Sequence, residues 1–283
     1  MTIRRLEARD LDFAYEMVST EEWNDRRADL ERMLNYEPKG CFIGEVNGEP
    51  AGHIFSISYE RLGWIGLLIV DANHRNKGIA ARLMETSMDY LLGQGVETIR
   101  LEAVPEVAGL YRRLGFVDEC DSLRFVGISK KRVPLQSRCT RIEGLGEIPA
   151  IGRFDAGYFG ADRTKVLSRL FEEFPELCFV SRDKLRVDGY VMCRKAAIGY
   201  KLGPWVCKPK NRPEAMMLLA ACLSAMMQDE KVYVGVPALN TTAVDVLREF
   251  GFRQYYKSIR MCYRKRLDDC VDGVFAIGGP MKG

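Results

Sequence analysis

A chain of 283 residues is long for one compact domain and comfortable for two. Apolar residues make up 47% and charged residues 29%, and 42 basic against 39 acidic side chains leave a net charge of +3. That balance gives no support to a nucleic-acid or membrane-surface role. No apolar run approaches the roughly 18 residues of a membrane span, and Met1 to Arg5 leads into no signal-type apolar core, so a cytoplasmic protein is expected.

In chain order, Ile3 to Leu6 reads as a short strand, followed by helical segments around 10–18 and 26–35. Strands are predicted at about 41–46, 51–59 and 62–70, the first two joined as a hairpin by Val46-Asn47-Gly48-Glu49. A helix from Gly78 to Leu92 carries Ile79, Leu83, Met84, Ser87, Met88 and Leu91 on one stripe, and Gly93 and Gly95 stop it. Thr98 to Val104 is a further strand, then comes a helix at about 106–114 and a last strand from Phe116. The stretch around 131–144, basic, poorly periodic and broken by Pro134, reads as a linker between a domain at 1–130 and another at 145–283.

The second half repeats the first. Cys41 and Cys178, Gly52 and Gly189, and Gly115 and Gly251 stand 137, 137 and 136 positions apart in matching contexts. A near-constant offset argues for duplication, and a period this long means two domains rather than a solenoid. Antiparallel strands followed by β-α-β-α-β predict an α/β (α+β) fold. Each domain should be a mixed, mostly antiparallel sheet flanked by helices.

Nine cysteines, an odd number without a C-x-x-C pair, point to reduced structural thiols. Cys41, Cys178, Cys193 and Cys222 sit in apolar runs, as buried thiols do. With only His53 and His74 as imidazoles, no metal site is expected.

The most informative stretch is Leu67-Leu68-Ile69-Val70 running through Asp71-Ala72-Asn73-His74-Arg75-Asn76-Lys77 into a helix that begins at Gly78. A strand that ends in a polar turn and enters a helix at glycine aims backbone N–H groups, at the positive end of a helix dipole, at whatever lies in front. The spacing Arg75-x-x-Gly78-x-Ala80 after Ile69-x-Asp71 closely resembles the acyl-CoA pyrophosphate loop of the GNAT superfamily of N-acetyltransferases. Gly109-Leu110-Tyr111-Arg112-Arg113-Leu114-Gly115-Phe116 is similar to the second signature of the same superfamily.

The resemblance implies acetyl-CoA as cofactor. Its pantetheine arm would lie along the main chain of Leu68, Ile69 and Val70, and its pyrophosphate against the amides of Asn76, Lys77, Gly78, Ile79 and Ala80. Arg75 and Lys77 would add positive charge. Tyr111 is implied as the acid that protonates the departing thiolate, a role that suits a phenol still protonated at neutral pH. Trp23 and Asn24, before the second helix, lie where the superfamily shapes its acceptor pocket. One departure is Val104, where members commonly carry Asn. The general base stays open among Glu21, Glu22, Glu60 and an ordered water.

Aligned by the offset, Lys210-Asn211-Arg212-Pro213-Glu214-Ala215 replaces Arg75 to Ala80, and Leu247 replaces Tyr111. Proline lacks an N–H, and Glu214 would repel phosphate. The second copy therefore reads as a degenerate GNAT-like domain, and its helix at 214–227, apolar nearly all round, as deeply covered. The expected activity is acetyl transfer to an amine on a small molecule or protein, with a homodimer as one assembly open to the chain. The alternative is a non-catalytic acyl-CoA-binding regulator. A nucleotide-binding α/β protein is disfavoured, since neither G-x-x-x-x-G-K-[ST] nor G-x-G-x-x-G is present.

Overall fold

The computed structural model describes residues 1–131, 138–267 and 270–283. It divides into two units, one of Met1–Glu119, Arg260–Arg266 and Pro280–Lys282, the other of Cys120–Ile259, Leu267–Gly279 and Gly283. The first half of the chain supplies β1 (Thr2–Arg5), α1 (Leu11–Thr20), α2 (Arg27–Tyr36), β2 (Phe42–Val46), β3 (Glu49–Tyr59), β4 (Leu62–Val70), α3 (Ile79–Gly93), β5 (Thr98–Ala103), α4 (Ala108–Arg113) and β6 (Val117–Ile128). The second half supplies β7 (Cys139–Arg141), α5 (Ile148–Phe159), α6 (Thr164–Glu173), β8 (Cys178–Asp183), β9 (Arg186–Lys195), β10 (Tyr200–Cys207), α7 (Arg212–Ala225), β11 (Lys231–Pro237), α8 (Thr241–Glu249), β12 (Arg253–Arg264) and β13 (Val274–Ala276).

In the first unit the strands run β1-β2-β3-β4-β5-β12. Asn47 and Gly48 turn β2 into β3 with φ of 55° and 87°, the left-handed pair that a two-residue hairpin turn requires. β1 to β4 are antiparallel neighbours and β4 runs parallel to β5, as a strand followed by a crossover helix must. α3 covers this sheet with Ile79, Leu83, Met84, Ser87, Met88 and Leu91, all buried, the stripe that the spacing predicts.

β6 and β12 are exchanged between the units. Residues 260–266 belong to the first unit and 120–128 to the second, so β5 has β12 for its neighbour while β6 pairs antiparallel with β11. Buried pairs hold the exchanged strand. Arg260 bonds Glu102 at 3.2 Å and lies over the Trp64 ring, and the Thr98 hydroxyl donates to the Lys265 carbonyl. The chain end returns as well: Trp64 Nε1–H donates to the Pro280 carbonyl and Tyr59 Oη–H to that of Lys282.

The second unit repeats the plan, with β10 parallel to β11 and antiparallel to β9. Residues 132–137 of the expected linker lie outside the described residues, and β7, next to them, pairs with β8. α7 buries Ala215, Leu218, Leu219, Cys222 and Leu223, leaves Met216 and Met217 half-buried and ends at Ala225, with Met227 exposed beyond it. Its apolar circumference is thus covered on one side rather than all round. No cysteine is disulfide-bonded, and Cys41, Cys178, Cys193 and Cys222 are buried. Among the described residues no helix is long and apolar enough to cross a membrane.

Candidate active site

The site begins where two parallel strands part. β4 pairs with β5 only at Leu62, Gly63 and Trp64, opposite Thr98, Ile99 and Arg100, although β4 continues to Val70 and β5 to Ala103. An extra residue in β4 drives the separation. His53 pairs with Ile69 and Phe55 with Gly66, so three steps along β4 match two along β3, and Leu67 takes up the bulge at φ 52°. A non-glycine residue there is strained, a condition that clusters at functional sites. From Ile65 onward the β5-side edge of β4 has no strand partner among the described residues, the kind of edge that an extended ligand pairs with.

His53 sits beneath the bulge, fully buried, with the Phe13 and Phe55 rings edge-on to it. Burial lowers its pKa to about 4; the nearby main chain of Leu67 and Ala14 opposes this only in part, and neither ring nitrogen makes a hydrogen bond of ordinary geometry. It is therefore a neutral wedge between α1 and the strand end. Composition singled it out only as one of two histidines.

At the end of β4, Asp71 caps a short turn by accepting from the Asn73 amide, and it bonds the His74 ring at 3.0 Å. That hydrogen bond holds the Asp71 carboxyl below its usual range. Asn76 and Gly78 both adopt left-handed conformations, φ 63° and 78°, a backbone state that recurs in anion-binding loops. Among the described residues no main-chain acceptor serves the amides of Asn76, Lys77 or Gly78, and the first amides of α3 have none by helix geometry. A Cβ at Gly78 would meet nothing within 4 Å. Glycine is needed here for its φ, and the space beside its Cα is open. Asn76, Lys77 and Gly78 are exposed, while Ile79 is buried and Ala80 half-buried. Lys77 Nζ donates to the Asn73 carbonyl, and Arg75 Nε to that of Val70.

The other expected residues divide by position. Leu68, Ile69 and Val70 lie at the end of β4, where Ile69 and Val70 pair with His53 and Gly52 of β3 and, among the described residues, none of the three pairs with β5. Tyr111 lies on α4, buried, its ring edge-on to Phe116, and burial pushes its phenol up to about 12. Trp23 and Asn24 are half-buried in the loop between α1 and α2, where Glu22 and Asn24 are left-handed. Glu21 in that loop pairs with Arg75 at 2.7 Å, which brings the loop to the turn between β4 and α3. Glu60 stands in the β3–β4 turn, the whole length of β4 away, about 25–30 Å. It is too distant to act as base at the strand end.

The matching opening of the second unit is filled. β10 pairs with β11 over Tyr200–Leu202, and then β13 pairs with β10, Trp205 opposite Ala276 and Val206 opposite Val274. The Ile277 amide donates to the Gly235 carbonyl of β11. Gly203, at φ 138°, must be glycine, since a Cβ would come within 2.0 Å of the Ile277 carbonyl. Asn240, the counterpart of Val104, donates to the Val274 carbonyl and caps α8. Glu214 is buried at the start of α7, and desolvation together with nearby Asp188 raises its pKa. Leu247, the counterpart of Tyr111, is core.

A profile described as "Acetyltransferase (GNAT) family" matches residues 4–116, and one described as "Acetyltransferase (GNAT) domain" matches residues 151–276. The chain is a tandem member of the GNAT family. It is similar to the holothin acyltransferase of a Pseudoalteromonas species, at 27% identity over 87% of this chain and 82% of that protein. Among solved structures, a candidate acetyltransferase from Pyrococcus horikoshii aligns with a TM-score of 0.81 at 21% identity, over 100% of this chain and 95% of that one. A tandem GNAT protein from the clavulanic acid biosynthesis pathway aligns at 0.64 with 14% identity, over 95% and 99%. Relatives and fold make acyl transfer the general activity of the family to which this chain belongs. Among the described residues no group of three or more His, Cys, Asp or Glu side chains is placed to hold a metal.

Proposed function

We propose that the first unit transfers an acetyl group from acetyl-CoA to an amine, by direct attack within a complex of both substrates. The observation that carries this reading is the open space before Gly78, set at the end of a strand whose edge is unpaired from Ile65 onward. An elongated ligand with a dianionic middle fits that combination. Main-chain groups of Leu68, Ile69 and Val70 would pair with its amide-bearing arm, and the amides of Asn76 to Ala80, with Arg75 and Lys77, would face its pyrophosphate.

Acetyl-CoA supplies an activated thioester. Main-chain groups at the bulged end of β4 would hold the reacting carbonyl, and Tyr111 would give its proton to the departing sulfur. A phenol at about 12 is a weak acid for that step. The burial that raises it acts on a thiolate in the same pocket too, as it does on this chain's own buried Cys41, whose thiol is pushed well above its usual range. The loop of Trp23 and Asn24 would shape the acceptor side.

The second unit, in this reading, takes no acyl-CoA, since its own β13 lies in the equivalent opening and Glu214 stands at the phosphate end. Calorimetric titration with acetyl-CoA should therefore give one site per chain. Thiol release in a panel of primary amines should show turnover. Binding at one site without turnover on any amine would favour the regulator, and absence of binding would sink both.

A further inference from the structure

The Arg75 guanidinium is engaged at both ends. Nε donates to the Val70 carbonyl at 3.0 Å, and Nη2 pairs with the Glu21 carboxylate at 2.7 Å. Glu21 needs that partner, because it occupies the C-cap of α1. The negative end of a helix dipole disfavours a carboxylate there. The loop that follows is held in an uncommon shape, with Glu22 at φ 55° and Asn24 at φ 56°. One ion pair therefore ties the turn that faces the phosphate cradle to the loop that carries Trp23 and Asn24. Arg75 is about half exposed and Glu21 about one-third exposed, so the pair is weak enough to be exchanged.

We propose that Glu21 is a positioning residue that competes with the acyl-CoA pyrophosphate for Arg75, so that loading the donor frees the 21–26 loop to receive the acceptor. The inference rests on the reading that Arg75 faces pyrophosphate. A phosphate drawn to this guanidinium brings negative charge beside the Glu21 carboxylate, and like charges at that separation repel. The guanidinium keeps its bond to Val70 and turns its outer nitrogens to the phosphate, while Glu21 loses the cation that offset the α1 dipole. Donor binding would thus precede acceptor binding, and the released carboxylate would stand ready for a cationic amine.

The test is titration of the full chain with CoA, wild type against Glu21→Gln, together with hydrogen exchange across the same additions. Removing the competing carboxylate should tighten CoA binding about two- to five-fold, the range that one exposed ion pair supports. In the wild type, CoA should slow exchange over residues 76–82 and speed it over 21–26. In Glu21→Gln the 21–26 amides should exchange fast from the start, and CoA should change only 76–82. Unchanged or weaker CoA binding in Glu21→Gln overturns the proposal, as does slowed or unaltered exchange over 21–26 in the wild type. A wild type that binds no CoA sinks the acyl-CoA reading itself, a failure separable from the other two.

Discussion

Arg260 and Glu102 are 158 residues apart in sequence, yet their side chains meet at 3.2 Å with exposures of only 5% and 0%. The pair joins β12 to β5 inside the first unit and is a seam of the strand exchange. Arg260→Ala would take this cation from a fully buried carboxylate, a loss of up to about 3–5 kcal/mol. Urea unfolding should show that loss. Replacing both partners with apolar residues, Arg260→Met with Glu102→Leu, should recover most of it. An unchanged midpoint in the single variant would mean that the exchanged strand contributes little to the first unit.

His53 sets a pH dependence of stability. Its folded pKa of about 4 lies below the ordinary 6.5, so between those values the unfolded chain binds the extra proton. Its contribution is therefore complete above about pH 6.5 and is lost as pH falls towards 4, with a slope of at most about 1.4 kcal/mol per pH unit. His53→Leu removes this titration and leaves an apolar side chain where the ring nitrogens make no ordinary hydrogen bond. Denaturation of both proteins from pH 7 to 5 should show the wild type losing stability faster than the variant. Parallel curves would contradict a neutral buried imidazole.

Tyr111→Phe keeps the ring that packs on Phe116 and removes the proton. Loss of a general acid should lower kcat about 10²-fold or more while the KM for acetyl-CoA stays within a few-fold. Since burial holds the phenol near 12, the wild-type rate should show no limb from Tyr111 ionisation below about pH 11. Equal turnover by the variant would remove Tyr111 from the chemistry.

The loop between β4 and α3 was legible as a strand-turn-helix because its signals are local. An apolar β-branched run, a polar turn and a glycine that enters a striped helix each depend on neighbours a few positions away, and α3 buries the predicted residues. The duplication was legible too, since Gly115 and Gly251 both turn the chain at positive φ before a buried phenylalanine. The exchange of β6 and β12 was not. Both are long strands in matching places of a repeat, and a strand's own alternation does not name its neighbour. Nor does any local pattern give the position of the three-residue β13 between β10 and β11, a non-local pairing secured by Asn240 and Ile277. The Glu21–Arg75 pair likewise joins residues 54 positions apart. No short motif encodes such a contact.

The most direct measurement is the melting temperature with and without acetyl-CoA, for the wild type and for Gly78→Glu. Ligand at about 100 times its dissociation constant adds roughly 2.7 kcal/mol, a shift of several degrees for a chain of this size. Glutamate at position 78 puts a carboxylate into the open space before α3, so the variant should fold, melt somewhat lower for its strained φ of 78°, and show no shift. A wild type that does not shift, or a variant that shifts equally, would contradict an acyl-CoA site on the loop of the first unit.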